Sequence, residues 1–208
     1  MPLVDLKESS LHGVALWHIA ETEDDLKSLA PNDQCPQDIV SPLKRLEWLS
    51  GRILIKSLAE QQGIQYSGIT KDQFGKPFLK DNTHQISLSH SYPYVAAQIH
   101  PSLSVGIDIE QPKDKLLRIA SRVLDTGELE DAGADIVKHC IYWCAKEALY
   151  KIYGKRGLLF TNHLKVRPFQ LQKTGELHGA IEFDNVNVFA ELRYIVEPEY
   201  VLVFSKVS

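Results

Sequence analysis

The sequence predicts a mixed α/β (α+β) fold in which each half of the chain contributes one substantial helix and several strands. Apolar residues recur at helical spacing in two long segments, residues 42–62 and 135–153, one in each half. Short segments of strand character surround both helices, with glycine, proline, asparagine and aspartate at the joints. No fixed-period repeat and no low-complexity linker separates the halves, and periodicity alone does not show whether they are related.

The elements of the first half follow from local sequence signals. Residues 14–19 predict a strand, and the acidic start of residues 21–30 favours a short helix because acidic side chains stabilise helix N-termini. The long helix has Ser41 as a candidate N-cap, a proline at its first position and Gly63 just past its end. After it, glycine and proline interrupt residues 68–80, which predicts an irregular hairpin or loop.

Two short strands, residues 86–91 and 94–100, complete the first half and are joined near Tyr92. The second half opens with a strand over residues 103–110, where apolar and other residues alternate. Helical segments and then a β-rich end follow: helices at 116–124, 126–132 and 135–153, and strands at 165–171, 176–183, 187–196 and 200–207.

Composition predicts a soluble globular protein and excludes several functions. The 208 residues are 44% hydrophobic and 24% charged, which supplies a core and argues against wholesale disorder. The 23 basic and 27 acidic residues give a net charge of −4, so no broadly cationic surface for nucleic acid or anionic membranes is expected. No signal peptide and no run of about 18 apolar residues is found. The odd cysteine count, Cys35, Cys140 and Cys144, indicates a reducing compartment, and a cytoplasmic location is expected.

The first chemically suggestive segment is VGIDIE. Side chains alternate across a strand, so Gly106, Asp108 and Glu110 share one face and the apolar residues between them share the other. The two acids lie about 6–7 Å apart along the strand, and oxygen ligands with open positions suit Mg²⁺. Gly106 would allow another backbone or a ligand to approach closely. The alternative is a surface strand with a polar outer face.

The second suggestive segment is WCAKEALYK. Glu147 and Lys151 are four residues apart and therefore lie one turn apart on one helical face, which Cys140 and Cys144 extend. An acid on a face of small, semi-apolar residues is placed to look inward, where it could complete a metal site with the two strand acids. The alternative is an ordinary surface Glu–Lys pair, and the cysteines are then small core residues.

Basic residues of the first half are candidates for phosphate binding. Arg45, Arg52 and Lys56 fall on one face of the first long helix, either as a phosphate-binding edge or as a solvated face. Lys76 lies between a glycine and a proline in a rigid turn that would hold its ammonium group in place.

A cluster of hydrogen-bonding side chains, Ser89, His90 and Ser91, offers several donors to a phosphate at a strand end. The sequence contains no glycine-rich phosphate loop and no G-x-S-x-G element, which argues against P-loop, dinucleotide-binding and serine-hydrolase sites. The histidines show no metal-ligand spacing.

The order of these motifs carries more information than any one of them. GKPFL, SLSHS, VGIDIE and WCAKEALYK follow one another at ordinary spacings. This succession resembles the 4′-phosphopantetheinyl transferases, in particular the longer, surfactin-synthetase-activating type. The resemblance implies two similar α/β subdomains packed as a pseudo-dimer, with coenzyme A in the cleft between them. The first subdomain, residues 1–103, would hold the coenzyme A phosphates, and the second, residues 104–208, the Mg²⁺ site and the catalytic helix.

The resemblance also assigns roles to individual residues. The catalytic residues implied are Glu147, Lys151 and Asp108. The Mg²⁺ ligands implied are Asp108, Glu110 and Glu147, with Glu128 as an additional candidate on a loosely matched helix. The residues implied to bind coenzyme A are Arg45, Lys76, Ser89, His90, Lys146 and Lys151. One departure is the leucine of SLSHS, where many relatives have asparagine nearby, but the serine and histidine are kept.

The activity implied is transfer of phosphopantetheine from coenzyme A to a serine of an apo acyl or peptidyl carrier protein, with release of 3′,5′-ADP. Mg²⁺ and coenzyme A are the expected cofactor and co-substrate, and a monomer is expected. Two alternatives remain open at this point: a non-catalytic coenzyme-A-binding module, and a Mg²⁺-dependent phosphodiesterase, which would need more metal ligands than the sequence gathers. The carrier and its docking surface are not identified.

Overall fold

The computed structural model describes residues 3–4, 13–80, 83–184 and 186–207. The chain divides into two compact units, Met1–Ser104 and Val105–Ser208. Both units combine helices with a curled antiparallel sheet, which confirms the predicted mixed α+β class. In the described part of the chain, no helix is long and apolar enough to cross a membrane.

The first unit is built on a six-stranded antiparallel sheet in the order β1-β2-β6-β5-β4-β3. Its strands are β1 (Leu3–Val4), β2 (Val14–His18), β3 (Ile69–Lys71), β4 (Pro77–Leu79), β5 (Gln85–Ser91) and β6 (Tyr94–His100). Strands β3 and β4 pair as the predicted irregular hairpin. The central pair β5–β6 turns at Tyr92 and Pro93, which carries the two strand-end residues Ser89 and His90 toward one edge of the unit.

This unit has two helices, α1 (Glu23–Leu29) and α2 (Pro42–Gln61); α2 packs on the sheet and α1 packs against α2. A capping box closes the start of α1, in which Thr22 and Asp25 bond each other's backbone N–H groups. Helix α2 begins after Ser41 and ends just before Gly63, as the sequence predicts. Its buried stripe packs against β6, β2 and β5 around Trp17.

The second unit is built on a five-stranded antiparallel sheet in the order β7-β11-β10-β9-β8. Its strands are β7 (Ile107–Glu110), β8 (Leu164–Val166), β9 (Thr174–Phe183), β10 (Val186–Val196) and β11 (Val201–Ser205). Strand β7 is an edge strand that pairs with β11 alone, so its acidic residues lie at a border of the sheet.

The helices of the second unit are α3 (Lys115–Ile119), α4 (Thr126–Ala132), α5 (Ile136–Tyr153) and α6 (Phe160–His163). Asp135 caps the start of α5 by accepting from two backbone N–H groups. The helix ends at Gly154, whose φ of 69° requires the left-handed conformation that glycine adopts without strain. Helix α5 crosses β11 and β7 and forms the centre of the core of this unit.

The sequence-based boundaries were wrong in at least three places. The strand predicted over residues 103–110 begins only at Ile107. The helix predicted over residues 116–124 is one turn of α-helix continued by a 3-10 turn at Ala120–Arg122. The strand predicted over residues 165–171 is the short β8, which ends at Val166, two residues before Pro168. Proline has no N–H to donate to a strand ladder, which accounts for the early end.

Candidate active site

The site in the second unit depends on an unusually close approach of helix α5 to strand β7. Gly106, just before β7, faces the backbone of Ala148 in α5. A Cβ atom built on Gly106 would lie 2.8 Å from the Ala148 carbonyl carbon and closer still to its oxygen. The sequence suggested that Gly106 allows either another backbone or a ligand to approach closely. The structure shows the approach of another backbone, that of α5.

The close approach brings Asp108 of β7 to Lys151 of α5. The Lys151 Nζ donates to Asp108 Oδ1 at 2.7 Å and to the backbone oxygen of Ile107 at 2.7 Å. Asp108 is only 6% exposed, so β7 is not the surface strand that was the alternative interpretation of VGIDIE. One of the three N–H donors of Lys151 is left for a further acceptor by the described residues.

Glu147 lies one turn before Lys151 and behaves differently from a surface glutamate. Burial, and then the negative charge of Asp108, raise the pKa of Glu147 to about 7, against the lowering effect of Lys151. No described residue donates a hydrogen bond to its carboxylate. Lys151 pairs with Asp108 rather than with Glu147, so the ordinary surface Glu–Lys pair is also not what the structure contains.

Glu110, the second strand acid, is held by a different lysine. Its Oε2 pairs with Lys115 Nζ at 2.9 Å, and its Oε1 accepts from the backbone N–H of Gln111. Within the described residues, no group of three His, Cys, Asp or Glu side chains is arranged to hold a metal ion. The structure thus brings Asp108, Glu147 and Lys151 together and leaves Glu110 in its own ion pair.

The two cysteines of α5, the helix that carries Glu147 and Lys151, are buried in the core. Cys140 and Cys144 are both fully buried. The Cys140 Sγ lies 3.7 Å from the Glu110 backbone oxygen, and the Cys144 Sγ lies 3.8 Å from that of Val201. Both are therefore small core residues, which was one of the two interpretations of WCAKEALYK. Burial raises the pKa of the Cys144 thiol well above its usual value.

Glu128 and Lys146 form a buried ion pair with each other. Lys146 is fully buried, and its Nζ also donates to the backbone oxygens of Val123 at 2.8 Å and Phe160 at 3.0 Å. Glu128 accepts from the backbone N–H groups of Asp125 and Val166 as well. All three donors of Lys146 are used within the protein, which is the pattern of a structural ion pair.

Lys76 in the first unit is held where the sequence placed it, in a turn. The Asp72 Oδ1 accepts from the backbone N–H groups of Phe74 and Lys76, and Gly75 at the tip has a φ of 93°. The Lys76 Nζ donates to Ser104 Oγ at 2.6 Å. Burial lowers the pKa of Lys76, and the charge of Asp72 works against that shift.

His90 lies beside Glu47, an acid that the sequence motifs did not single out. Its Nδ1 lies 3.2 Å from Glu47 Oε2, while Glu47 is 4% exposed. Ser89, on the neighbouring position of β5, is buried. A sequence signal for Glu47 did exist, because this acid lies three and four residues before Ser50 and Gly51 and so falls on the buried stripe of α2.

Arg45 and Arg52 do not form a common solvated face. The Arg45 Nε donates to Glu23 Oε2 at 2.8 Å, and its Nη1 donates to the Val40 backbone oxygen at 2.9 Å. The Arg52 guanidinium lies 3.3 Å from the centre of the Trp48 ring. Both cations are therefore engaged with residues of the first unit.

The second unit contains a cluster of Asp108, Glu147 and Lys151. The first unit contains Lys76, hydrogen-bonded to Ser104, and His90, which lies next to Glu47. Residues 104–202 match the family model of the 4′-phosphopantetheinyl transferase superfamily. A comparison with curated proteins gave no match. This match confirms the predicted superfamily over residues 104–202 and supports phosphopantetheine transfer as the general chemistry of that part of the chain.

Proposed function

We propose that the protein transfers the phosphopantetheine group of coenzyme A to a serine of an apo acyl or peptidyl carrier protein. The serine oxygen forms a new bond to the β-phosphorus of coenzyme A, the bond to the bridging oxygen breaks, and 3′,5′-ADP leaves with that electron pair. The observation that carries this proposal is the cluster of Asp108, Glu147 and Lys151, which joins the two most specific motifs within the domain that matches the superfamily.

The chemistry of the acids in this cluster fits a divalent cation. Burial and the negative charge of Asp108 raise the pKa of Glu147, and a cation bound between the two acids would offset that effect. Mg²⁺ prefers carboxylate oxygens and leaves positions open for phosphates. We propose Asp108 and Glu147 as its ligands, with Glu110 as a third once its carboxylate leaves Lys115. When bound, Mg²⁺ would neutralise charge on the coenzyme A pyrophosphate.

The chain's own residues divide the remaining work. Phosphoryl transfer asks the protein mainly for positioning and charge stabilisation. We propose that Lys151, fixed by Ile107 and Asp108, directs its remaining N–H to the pyrophosphate. Glu147 is our candidate to accept the serine proton.

The first unit would bind the phosphates of coenzyme A. We propose Lys76, Ser89 and His90 for this role, and Arg45 near the 3′-phosphate. The contacts of Lys146 favour a structural role over the coenzyme contact that the resemblance implied, and the contacts of Glu128 do the same for its candidate metal role.

The proposal extends to the arrangement of the whole chain. We infer two subdomains, divided near residues 103–104, that pack as a pseudo-dimer of the longer, surfactin-synthetase-activating type and act as a monomer in the cytoplasm. The three free cysteines are consistent with a reducing compartment.

One assay tests the reaction. The full-length protein is incubated with coenzyme A, Mg²⁺ and apo acyl carrier protein or an apo peptidyl carrier domain, and the carrier is weighed by mass spectrometry. Gain of one phosphopantetheine, with release of 3′,5′-ADP, is expected. Retained coenzyme A binding without a gain in mass would indicate a binding module, and cleavage of coenzyme A without a loaded carrier would indicate a phosphodiesterase.

Two variants test the site. Glu147→Gln and Asp108→Asn each keep the size of the side chain and remove its charge, and both are expected to abolish transfer while the protein stays folded. Glu130→Gln, an exposed change on α4, is the matched control and is expected to leave the rate unchanged. Transfer at near wild-type rate by either site variant would show that the residues are wrongly assigned.

A further inference from the structure

A buried glutamate in the first unit connects helix α2 to the strand end that carries His90. Glu47 is 4% exposed, although glutamate is rarely buried without partners. Its Oε2 pairs with Lys44 Nζ at 2.7 Å and with His90 Nδ1 at 3.2 Å. Its Oε1 accepts from the backbone N–H of Tyr92 at 3.2 Å. One carboxylate therefore lies within ion-pair distance of the imidazole and accepts a hydrogen bond from the turn that follows it.

The two ring nitrogens of His90 have different surroundings in this arrangement. Its Nδ1 faces the carboxylate, while the side chain is 46% exposed, so the ring is held at one nitrogen and open to solvent elsewhere. A carboxylate beside one ring nitrogen fixes the orientation of a histidine. The Nε2 edge of the imidazole is then left to contact an anion.

We infer that Glu47 is a positioning residue for coenzyme A binding, which acts by holding the His90 ring at its Nδ1 side so that the Nε2 edge of the ring faces a phosphate of the coenzyme. This inference rests on the proposed function, because it assumes that His90 faces a coenzyme phosphate. Glu47 itself carries a negative charge and is buried behind the ring, so it does not contact the phosphate.

A purely structural role for Glu47 makes a different prediction. Its bond to the Tyr92 N–H also anchors the β5–β6 turn to α2. If that anchor were its whole function, replacing Glu47 would lower stability and would change coenzyme binding equally with and without the His90 imidazole. If Glu47 acts through the ring, its effect on binding should vanish once the imidazole is removed.

The test measures binding of 3′,5′-ADP by calorimetry to four full-length variants and the wild-type protein. They are Glu47→Gln, which keeps an oxygen for the Tyr92 N–H, then His90→Gln, the double variant, and Glu60→Gln, the same change at an exposed position of α2, as the matched control. We expect Glu47→Gln and His90→Gln each to weaken binding about 10-fold, the scale typical of residues that orient a ligand-binding histidine. The double variant should be no weaker than His90→Gln alone, and Glu60→Gln should bind as the wild type does.

The state of the ring is read independently from the ¹H–¹⁵N spectrum of the imidazole nitrogens. The wild type is expected to show a hydrogen-bonded Nδ1–H for His90 that Glu47→Gln loses. Additive effects in the double variant, or unchanged 3′,5′-ADP binding by Glu47→Gln, would overturn the inference without touching the transferase activity. Coupled binding effects in a protein that never loads a carrier would instead support the role of Glu47 and overturn the proposed reaction.

Discussion

Replacing Gly106 by alanine tests whether the approach of α5 to β7 builds the active site. The new Cβ would lie 2.8 Å from the Ala148 carbonyl carbon and 3.0 Å from Ile152 Cγ1. Carbon atoms in contact prefer separations of about 3.5–4.0 Å. The helix or the strand must therefore move by at least about 0.7 Å, and because the nearest atoms belong to helix backbone, no side-chain rotation relieves the contact.

The cost follows from two contributions. Overpacking of a well-packed core typically destabilises by about 1–3 kcal/mol. Moving α5 away from β7 also stretches the charged hydrogen bond from Lys151 to Asp108, and such bonds contribute about 1.5–3 kcal/mol. We expect Gly106→Ala to lower the free energy of unfolding by about 4 kcal/mol and to reduce carrier loading as well.

Urea unfolding, followed by tryptophan fluorescence, measures this effect. With a slope of about 2 kcal/mol per molar urea, the midpoint should fall by roughly 2 M. Gly127→Ala is the matched control, because its Cβ would meet only Asp125 Oδ1 at 3.6 Å, an ordinary contact. It should leave the midpoint unchanged or raise it slightly. If the two alanine variants unfolded at the same urea concentration, the close approach would not be what positions β7.

Two further predictions concern buried charges. Lys146→Met should destabilise the protein by about 3–5 kcal/mol because it leaves Glu128 charged and buried; adding Glu128→Gln should recover part of that loss, and a simple sum of the two costs would contradict the ion pair. Burial raises the pKa of Glu47, but its bonds to His90 and Lys44 outweigh that effect and lower the pKa to about 2. Because its pKa is lower in the folded than in the unfolded state, Glu47 contributes about 3 kcal/mol above pH 4.5, which is lost as the pH falls toward 2. The free energy of unfolding of Glu47→Gln, measured in urea between pH 2 and 6, should therefore depend less on pH than that of the wild type. An unchanged pH dependence would refute the lowered pKa of Glu47.

Most of the secondary structure could be predicted because its signals are local. The start of α2 follows from Pro42, because proline favours the first helical position, and the ends of α2 and α5 follow from Gly63 and Gly154, which adopt a positive φ. The short helix α3 was predicted too long. Its sequence has helical spacing, but the backbone tightens to a 3-10 turn at Ala120, a tertiary effect that spacing does not reveal.

The partners of charged residues could not be predicted, because they depend on which elements pack together. The i,i+4 spacing of Glu147 and Lys151 suggests that these two residues form an ion pair. Because β7 approaches α5 closely, Lys151 forms its ion pair with Asp108 instead. The spacing of Lys146 likewise gives no sign of its contacts with Val123, Glu128 and Phe160, which use all three of its donors. In each case a contact between residues distant in sequence determines the role of the side chain.

The buried thiols of α5 have a consequence for the chemistry of the site. Cys140 and Cys144 lie beside the acidic strand, yet only a thiolate reacts readily with oxidants and alkylating reagents. Full burial, together with the raised pKa of Cys144, keeps that pair unreactive while α5 rests on the sheet. Cys35 is partly exposed in the first unit. The Cys140 and Cys144 thiols would thus become reactive only when α5 separates from β7. Their rate of alkylation therefore measures whether the active site is intact.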